Sequence, residues 1–277
     1  MSRQRGLDDI GPESWYDSMP FVTKHWLAAV VIITVSCNLE VLPTHKLVYV
    51  FDSIKSDFEI WRLFTPFLYM GGFTKQEGFS TVISTFLLYQ YSKQYESGIG
   101  FNTGGAGGTS DYIFMLLFGM VMCLVTNIYF QRYVLCKMLV YYVLYVWSKR
   151  YPTAQANIWG VPVPANLLPF ALLLLHFCLG NDYMEYVQGY TVGHLYYFMA
   201  DVVPKVYGQS YLQTPAFLLT KFGIGEYVPP APVNGMGATG SNVRSGFGGP
   251  GRVNAPSDPA ASSSRHSWGN GGQRLGR

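Results

Sequence analysis

The segment YIFMLLFGMVMCLVTNIYFQ, residues Tyr112–Gln131, contains no Lys, Arg, Asp or Glu. A second segment, Tyr151–Asn181, also lacks these four residue types. Charged residues make up only 13% of the 277-residue chain and hydrophobic residues 49%, whereas an average soluble domain has about 25% charged residues. About 20 apolar residues in a helix cross a hydrocarbon core ~30 Å thick. The sequence therefore predicts an all-α membrane protein.

Six apolar segments are candidate membrane spans. They are residues His25–Leu42, Gly78–Ser92, Tyr112–Phe130, Lys137–Trp147, Pro164–Gly180 and Tyr186–Ala200. The second, fourth and sixth are shorter than the ~20 residues that an ordinary bilayer requires. Two interpretations are open. In the first, the boundaries are off by a few residues or partner helices cover the short spans. In the second, the protein thins the membrane locally.

The distribution of Lys and Arg between the connecting segments favours an orientation with both termini in the cytosol. An even number of spans agrees with it. The longest connection, Leu42–Gly78, contains the aromatic-rich run FEIWRLFTPFLYMGGF. Because Trp and Tyr favour the membrane–water interface, we expect an interfacial element at the non-cytosolic surface. Trp61 would lie in the aromatic belt, and Arg62 would bind a lipid phosphate or a nearby carbonyl.

The composition changes after Val228, where Gly, Pro, Ser, Asn and Ala dominate. Such a segment buries too little apolar area to offset backbone ordering. The sequence thus predicts a membrane domain over residues 1–225 and a disordered tail over 226–277. Near its end, WGNGGQRLG places Trp268 and Leu275 among glycines. This pattern is typical of anchors for a partner's groove, although a fortuitous Trp is the alternative.

The stretch EYVQGYTVGHLYYFM contains Gly189 and Gly193, four residues apart, followed by His194. Two glycines on one helix face allow close helix packing. A catalytic histidine would need a nucleophile within hydrogen-bond reach, but the only serine of the fourth span is Ser148, at its cytosolic end. His176, in the fifth span, is interpreted as a packed interior histidine. The sequence has no HExxH motif and no paired membrane aspartates.

Other site classes have little support in the sequence. The four cysteines are far apart and form no CxxC pair, so we expect neither a metal nor a redox site. No run of Lys and Arg indicates nucleic-acid binding, and no Gly-rich Lys motif for nucleotide phosphates occurs. We therefore predict no cofactor.

Several motifs follow one another along the chain in the order of a known family. They are FEIWRLFTPFL, FLLYQYSKQYESGIG, DYIFMLLFG, VYYVLYVWSKRYP, VGHLYYF and TPAFL. This set, over about residues 10–225, resembles the Derlins, the rhomboid-like pseudoproteases of the endoplasmic reticulum. The resemblance implies a rhomboid-like bundle of six transmembrane helices with both termini cytosolic.

The resemblance also implies roles for individual residues. Trp61 and Arg62 match the family's Trp-Arg motif in the first lumenal loop, and Gly189 and Gly193 match its Gly-x-x-x-Gly. His194 resembles the relic of a Ser–His dyad whose serine is absent. The tail resembles a peptide that recruits the valosin-containing AAA ATPase, with one extra residue before the leucine. Its matching residues are Trp268, Gly269, Gly271, Leu275 and Gly276.

The implied function is retrotranslocation of misfolded proteins in endoplasmic-reticulum-associated degradation. Implied partners are misfolded clients, the AAA ATPase, a membrane ubiquitin ligase complex, the lipid bilayer and further subunits of a homo- or hetero-oligomer. Two alternatives are an active intramembrane protease and a solute transporter or channel. The latter predicts inverted repeats, which the two half-chains do not show.

Overall fold

The structure is a computed structural model that describes residues 16–75, 77–98, 100–102, 107–158, 161–180, 182–208 and 211–222. This part of the chain is mainly helical. The helices are α1 (Phe21–Asn38), α2 (Phe51–Ser56), α3 (Gly78–Glu96), α4 (Gly108–Phe130), α5 (Cys136–Arg150), α6 (Leu168–Cys178), α7 (Met184–Tyr197), α8 (Val203–Tyr207) and α9 (Ala216–Phe222). Strands β1 (Gln155–Ile158) and β2 (Val161–Pro164) form an antiparallel hairpin between α5 and α6.

Helices α1, α3, α4, α5, α6 and α7 coincide with the six predicted apolar segments and alternate in direction. Contacts at the two ends of the bundle establish this alternation. At one end, Glu96 meets the start of α1 and Arg150 meets Asp111 near the start of α4. We call this the Arg150 end. At the opposite end, which carries Arg62, Asn38 at the end of α1 donates to the Gly71 carbonyl before α3. We call that the Arg62 end.

Two of the described helices, α1 and α4, are long and apolar enough to cross a membrane by length and composition. Most of each helix is not covered by the rest of the protein, with 22% and 28% of their apolar windows buried. Their outer faces expose large apolar side chains such as Ile32, Val121 and Ile128. Exposed apolar faces of this extent are typical of lipid contact, which agrees with the predicted membrane protein.

The predicted helix boundaries differ from the observed ones in ways that change the interpretation of length. Helix α3 continues to Glu96 and has 19 residues, so for the second span the interpretation that a boundary was off by a few residues is right. Its last turn was missed because Lys93, Gln94 and Glu96 are polar, yet Glu96 is buried against α1. The fourth helix, α5, is indeed short at 15 residues.

Helix α6 is the shortest of the six at 11 residues. The predicted segment Pro164–Gly180 has 17 residues, but Pro164 ends strand β2 and Ala165–Leu167 form a 3₁₀ turn. At the other end Gly180 adopts a φ of +70°, in the left-handed region that ends helices. Hydropathy cannot distinguish these flanking conformations from the helix itself.

Helix α5 is the central element of the fold. All of its residues except Lys149 are buried, and it contacts α3, α4, α6 and α7. Tyr142 on α5 packs on Gly119 of α4 and donates a hydrogen bond of 2.8 Å to the Met115 carbonyl. Because protein surrounds α5 on all sides, its 15 residues do not need to match the thickness of a bilayer.

The start of α1 is capped from a distant part of the chain. Its N-cap residue, Pro20, makes no side-chain capping bond. Instead the Glu96 carboxylate accepts hydrogen bonds from the amides of Val22 and Thr23 and from the Thr23 hydroxyl, at 2.8–2.9 Å. A carboxylate at a helix N-terminus satisfies free amides and complements the helix dipole. The α1–α3 contact at the Arg150 end therefore depends on Glu96.

We predict that Glu96→Ala lowers the free energy of unfolding by about 1–2 kcal/mol, the usual range for loss of a helix cap. Thermal unfolding of the purified protein in detergent measures this change. Asp57→Ala is the control, because Asp57 is exposed. Equal stability of the two variants would contradict the capping role.

Candidate functional site

Helices α5 and α7 approach each other closely at the two glycines of α7. A Cβ atom on Gly189 would lie 2.5 Å from the Met138 carbonyl oxygen. A Cβ atom on Gly193 would lie 3.0 Å from both Cβ and Cδ1 of Tyr145. Both distances are shorter than ordinary van der Waals contact. The structure thus places Gly189 and Gly193 together in the α5–α7 interface, where any side chain would force the helices apart.

His194 follows Gly193 on α7. Its side chain is exposed but lies beside helix α5. Its Nδ1 atom is 2.9 Å from the hydroxyl of Tyr145 on α5. A serine nucleophile would need its hydroxyl about 2.6–3.2 Å from the imidazole. Ser148 is buried one turn further along α5 and donates instead to the Tyr145 carbonyl, at 2.7 Å. The geometry pairs His194 with a phenol, and its role as a relic stays a prediction.

The prediction that His176 is a packed interior histidine is confirmed. Its side chain is fully buried, and its Nε2 atom lies 2.6 Å from the Tyr141 hydroxyl. Its ring stacks on Tyr186 with centroids 4.1 Å apart, and the Tyr186 hydroxyl is 2.7 Å from Ser80 Oγ. This network joins α6 to α5, α7 and α3. It holds the shortest helix against the bundle.

Arg62 organises the loop between α1 and α3. Its side chain is buried, and its Nη1 atom donates to the carbonyls of His45 and Val48 at 2.8 and 2.9 Å. Its Nε atom pairs with Glu59. Of the two expected partners, the structure favours carbonyls over a lipid phosphate. Trp61 beside it is half exposed, as an interfacial residue requires. An arginine fork suits this geometry because it donates in several directions at once.

Sequence reasoning missed a buried charged cluster at the Arg150 end. The Arg150 guanidinium contacts Asp201 at 3.0 Å and Asp111 at 3.3 Å, and it lies 4.5 Å from the centre of the Phe101 ring. Asp201 belongs to a π-helical turn, Phe198–Val202, that connects α7 to α8. The available signal was the position of Asp111 and Arg150 at the edges of apolar segments, but the sequence does not show which charges meet.

The same cluster holds the last described helix. Thr214 Oγ1 lies 3.4 Å from Asp111 Oδ1, and Ser110 Oγ donates to the Leu218 carbonyl at 3.1 Å. The Phe222 ring is 6.2 Å from that of Phe21 at the start of α1. These contacts fix α9 to the Arg150 end of the bundle, immediately before the predicted tail.

A second ion pair joins two loops at the Arg62 end. Arg132, between α4 and α5, pairs with Asp182, between α6 and α7. Partial burial acts to raise the pKa of the Asp182 carboxyl. Hydrogen bonds from Arg132 and from the Met184 amide outweigh it and hold this pKa below its ordinary value. Asp182 is therefore charged at neutral pH and the pair is intact.

Two apolar grooves flank α3. The groove between α3 and α6 has a volume of about 310 Å³ and is lined mainly by apolar side chains, including Phe79, Val82, Leu172 and Leu175. The groove between α1 and α3 has a volume of about 540 Å³. Both open on the outer surface of the bundle, so helix α3 is their common wall.

The sequence pattern of the Der1-like family matches residues 19–216. This chain belongs to that family. It is 33% identical to Derlin-1.2 of Zea mays over 239 residues, which cover 83% of this chain and 95% of that relative. It is 30% identical to Derlin-1 of Mus musculus over 276 residues, covering 98% and 99% of the two chains. The resemblance inferred from the ordered motifs is confirmed.

The family match spans the described site residues of this Der1-like protein. Arg62, Gly189, Gly193 and His194 all lie inside residues 19–216. The tail residues Trp268, Gly269, Gly271, Leu275 and Gly276 lie beyond that match and outside the residues that the structure describes. Their role in recruiting a partner stays a prediction.

We predict that Gly193→Leu destabilises this Der1-like protein by about 1–3 kcal/mol, the usual cost of overpacking a tight interface. The added side chain meets Tyr145, so α7 must move away from α5. Thr191→Leu is the matched control, because Thr191 lies on the same helix and is exposed. Chemical unfolding in mixed micelles measures both variants, and a Gly193→Leu protein as stable as the control would contradict the close packing.

Proposed function

We propose that this Der1-like protein assists retrotranslocation in endoplasmic-reticulum-associated degradation by thinning the bilayer beside a groove for client proteins. The observation that carries the proposal is the short, outward-facing helix α6, which forms one wall of the α3–α6 groove. The setting in the endoplasmic reticulum is proposed from the resemblance to the Derlins, to which the similar proteins belong by name.

The length of α6 supports thinning of the bilayer. At 1.5 Å per residue, its 11 residues extend ~16 Å, and the preceding 3₁₀ turn adds about 6 Å. The hydrocarbon core of an ordinary bilayer is ~30 Å thick. Phe170, Leu174 and Phe177 are each more than 60% exposed, so this helix offers its apolar face to lipid. Lipid next to a short apolar helix adapts by thinning.

Thinning reduces the barrier for a polar polypeptide that leaves the membrane or the lumen. A charged side chain at the centre of a bilayer costs at least ~2.5–3.5 kcal/mol on insertion scales. A thinner hydrocarbon layer next to the groove lowers that cost for every charged residue of the client. The groove itself is apolar and suits a client's hydrophobic segment.

We also propose that this Der1-like protein is a pseudoprotease with a rhomboid-like bundle. Its support is the pairing of His194 with the Tyr145 phenol rather than with a serine, together with the side chain of Ser148, which is engaged by its own helix. The test is an assay for cleavage of a model transmembrane substrate by the purified protein. Cleavage that is lost when His194 is substituted would contradict this part of the proposal.

We place six spans across the membrane of the endoplasmic reticulum, with the Arg150 end and both termini in the cytosol. The alternating direction of the six helices supports an even number of crossings. Among the described residues the two ends carry similar numbers of Lys and Arg. The orientation given by the positive-inside rule therefore rests on Arg3, Arg5 and the tail arginines of the sequence. Because α9 is fixed to this end, the chain beyond it would enter the cytosol.

In this arrangement the energy for extraction comes from a partner. The tail peptide around Trp268 and Leu275 would recruit the valosin-containing AAA ATPase, which pulls the client. A membrane ubiquitin ligase complex would mark the client, and further subunits would complete the passage. The support for this part of the proposal is the pattern of Trp268 and Leu275 among glycines at the end of the sequence.

The experiment that tests the function uses two neighbouring leucines of α6. Leu175 lines the α3–α6 groove, whereas Leu174 is exposed outside it. We expect Leu175→Trp to fill the groove and lengthen the half-life of a misfolded membrane client in cells. Leu174→Trp should leave that half-life unchanged. Equal client half-lives in the two variants, at equal protein levels, would argue against the groove.

The tail is tested separately. Deletion of Ser267–Arg277 should abolish co-purification of the AAA ATPase, because it removes both predicted anchors, and should leave membrane insertion intact. Deletion of Gly235–Ser245 removes the same number of residues and retains the terminal peptide, so it is the matched control. ATPase retained by the first deletion, or lost in both, would refute the assignment.

A further inference from the structure

We propose that the groove between α1 and α3 binds one anionic phospholipid of the leaflet at the Arg150 end. An acyl chain would occupy the groove, and the phosphate would lie at Lys93. This inference requires a membrane location but does not depend on retrotranslocation or on the α3–α6 groove.

The groove offers a hydrocarbon environment. It is lined by Leu27, Val31, Thr34, Val35, Phe73, Val82, Thr85, Phe86 and Tyr89. The two threonine hydroxyls already have partners within the protein. Thr34 Oγ1 accepts a hydrogen bond from the Met70 amide, and Thr85 Oγ1 donates to the Thr81 carbonyl. The lining therefore demands no hydrogen bond from its occupant, and an acyl chain offers none.

The length and position of the groove suit an acyl chain. From Leu27 to Val35 the groove follows α1 for ~12 Å at 1.5 Å per residue, and its volume is about 540 Å³. A lipid acyl chain is narrow and flexible, and it reaches the groove directly from the surrounding bilayer.

The mouth of the groove is polar and cationic. Tyr89 lines both the groove and an adjoining hollow of about 360 Å³, which also touches Gln90, Lys93, Gln94 and Ser97. Lys93 Nζ lies 3.4 Å from the Tyr89 hydroxyl and 5.5 Å from the centre of its ring. The ammonium group is thus held at the point where the apolar groove ends. A phospholipid has a matching order of groups along its length, with an apolar acyl chain that leads to a charged phosphate.

The surrounding charges leave Lys93 available to an anion. Within the described ranges, Lys93 makes no ion pair with a carboxylate. The nearby Glu96 carboxylate is occupied by the amides of α1, and Lys24 is paired with Asp17 at 2.7 Å. One lysine near a membrane surface favours an anionic lipid by about fivefold. The side-chain amides of Gln90 and Gln94 at the mouth add hydrogen-bond donors for the phosphate.

The test uses the full chain in nanodiscs of phosphatidylcholine that contain a trace of photoactivatable lipid. The probe carries a diazirine in its acyl chain and either a phosphatidylserine or a phosphatidylcholine headgroup. Mass spectrometry then measures the labelling of α1 and α3 peptides. We expect about fivefold more labelling by the anionic probe, and a ratio near one in Lys93→Gln.

Lys149→Gln is the matched control. Lys149 also lies over a tyrosine one turn earlier on its helix, with Nζ 5.4 Å from the Tyr145 ring centre, but it does not line the groove. We expect this variant to keep the native ratio. Val31→Trp should fill the groove and lower labelling by both probes, with Val121→Trp on the outer face of α4 as its control.

Several results would overturn the proposal. One is equal labelling of the native groove by the two probes, and another is the same loss of preference in both lysine variants. Displacement of the anionic probe by soluble glycerophosphoserine would reveal a site for the headgroup alone. Displacement by an excess of a transmembrane peptide, with no effect of Lys93→Gln, would assign the groove to protein segments instead.

Discussion

The close approach of α5 and α7 is the constraint on which the other contacts depend. Gly189 and Gly193 allow the backbones to meet, and α5 is buried at every residue except Lys149. A buried α5 can present Tyr141 to α6, Tyr142 to α4 and Tyr145 to α7. Any side chain at either glycine would separate the two helices and change all three contacts.

Around that interface, polar groups rather than apolar packing determine how the outer helices attach. His176 holds α6, Glu96 holds the start of α1, and the Arg150 cluster holds α4 and α9. In a hydrocarbon environment, lipid tails compete equally well for apolar surfaces, so hydrogen bonds and close packing decide which helices associate. The small number of such contacts on α6 leaves most of that helix facing outward.

Much of this architecture was predictable from the sequence, because apolar runs with at most one charged residue mark six helices and two glycines four residues apart mark a packed face. The interior role of His176 followed from its apolar surroundings. The pairing of Arg150 with Asp111 and Asp201 did not, because residues 39 and 51 positions apart meet only after folding. The true length of α6 was also hidden, since Pro164 and the 3₁₀ turn Ala165–Leu167 before it and Leu179 and Gly180 after it carry no charge.

Helix α3 is attached near both of its ends. The segment before it is bound to Asn38, and Glu96 in its last turn is bound to Thr23. Between these attachments it separates two grooves that face different neighbours. A sideways displacement of its middle toward α6 must widen the groove beside α1, and the opposite displacement must widen the groove beside α6. The two grooves are therefore coupled through the position of α3. A molecule that enters one groove and displaces α3 reduces the volume of the other.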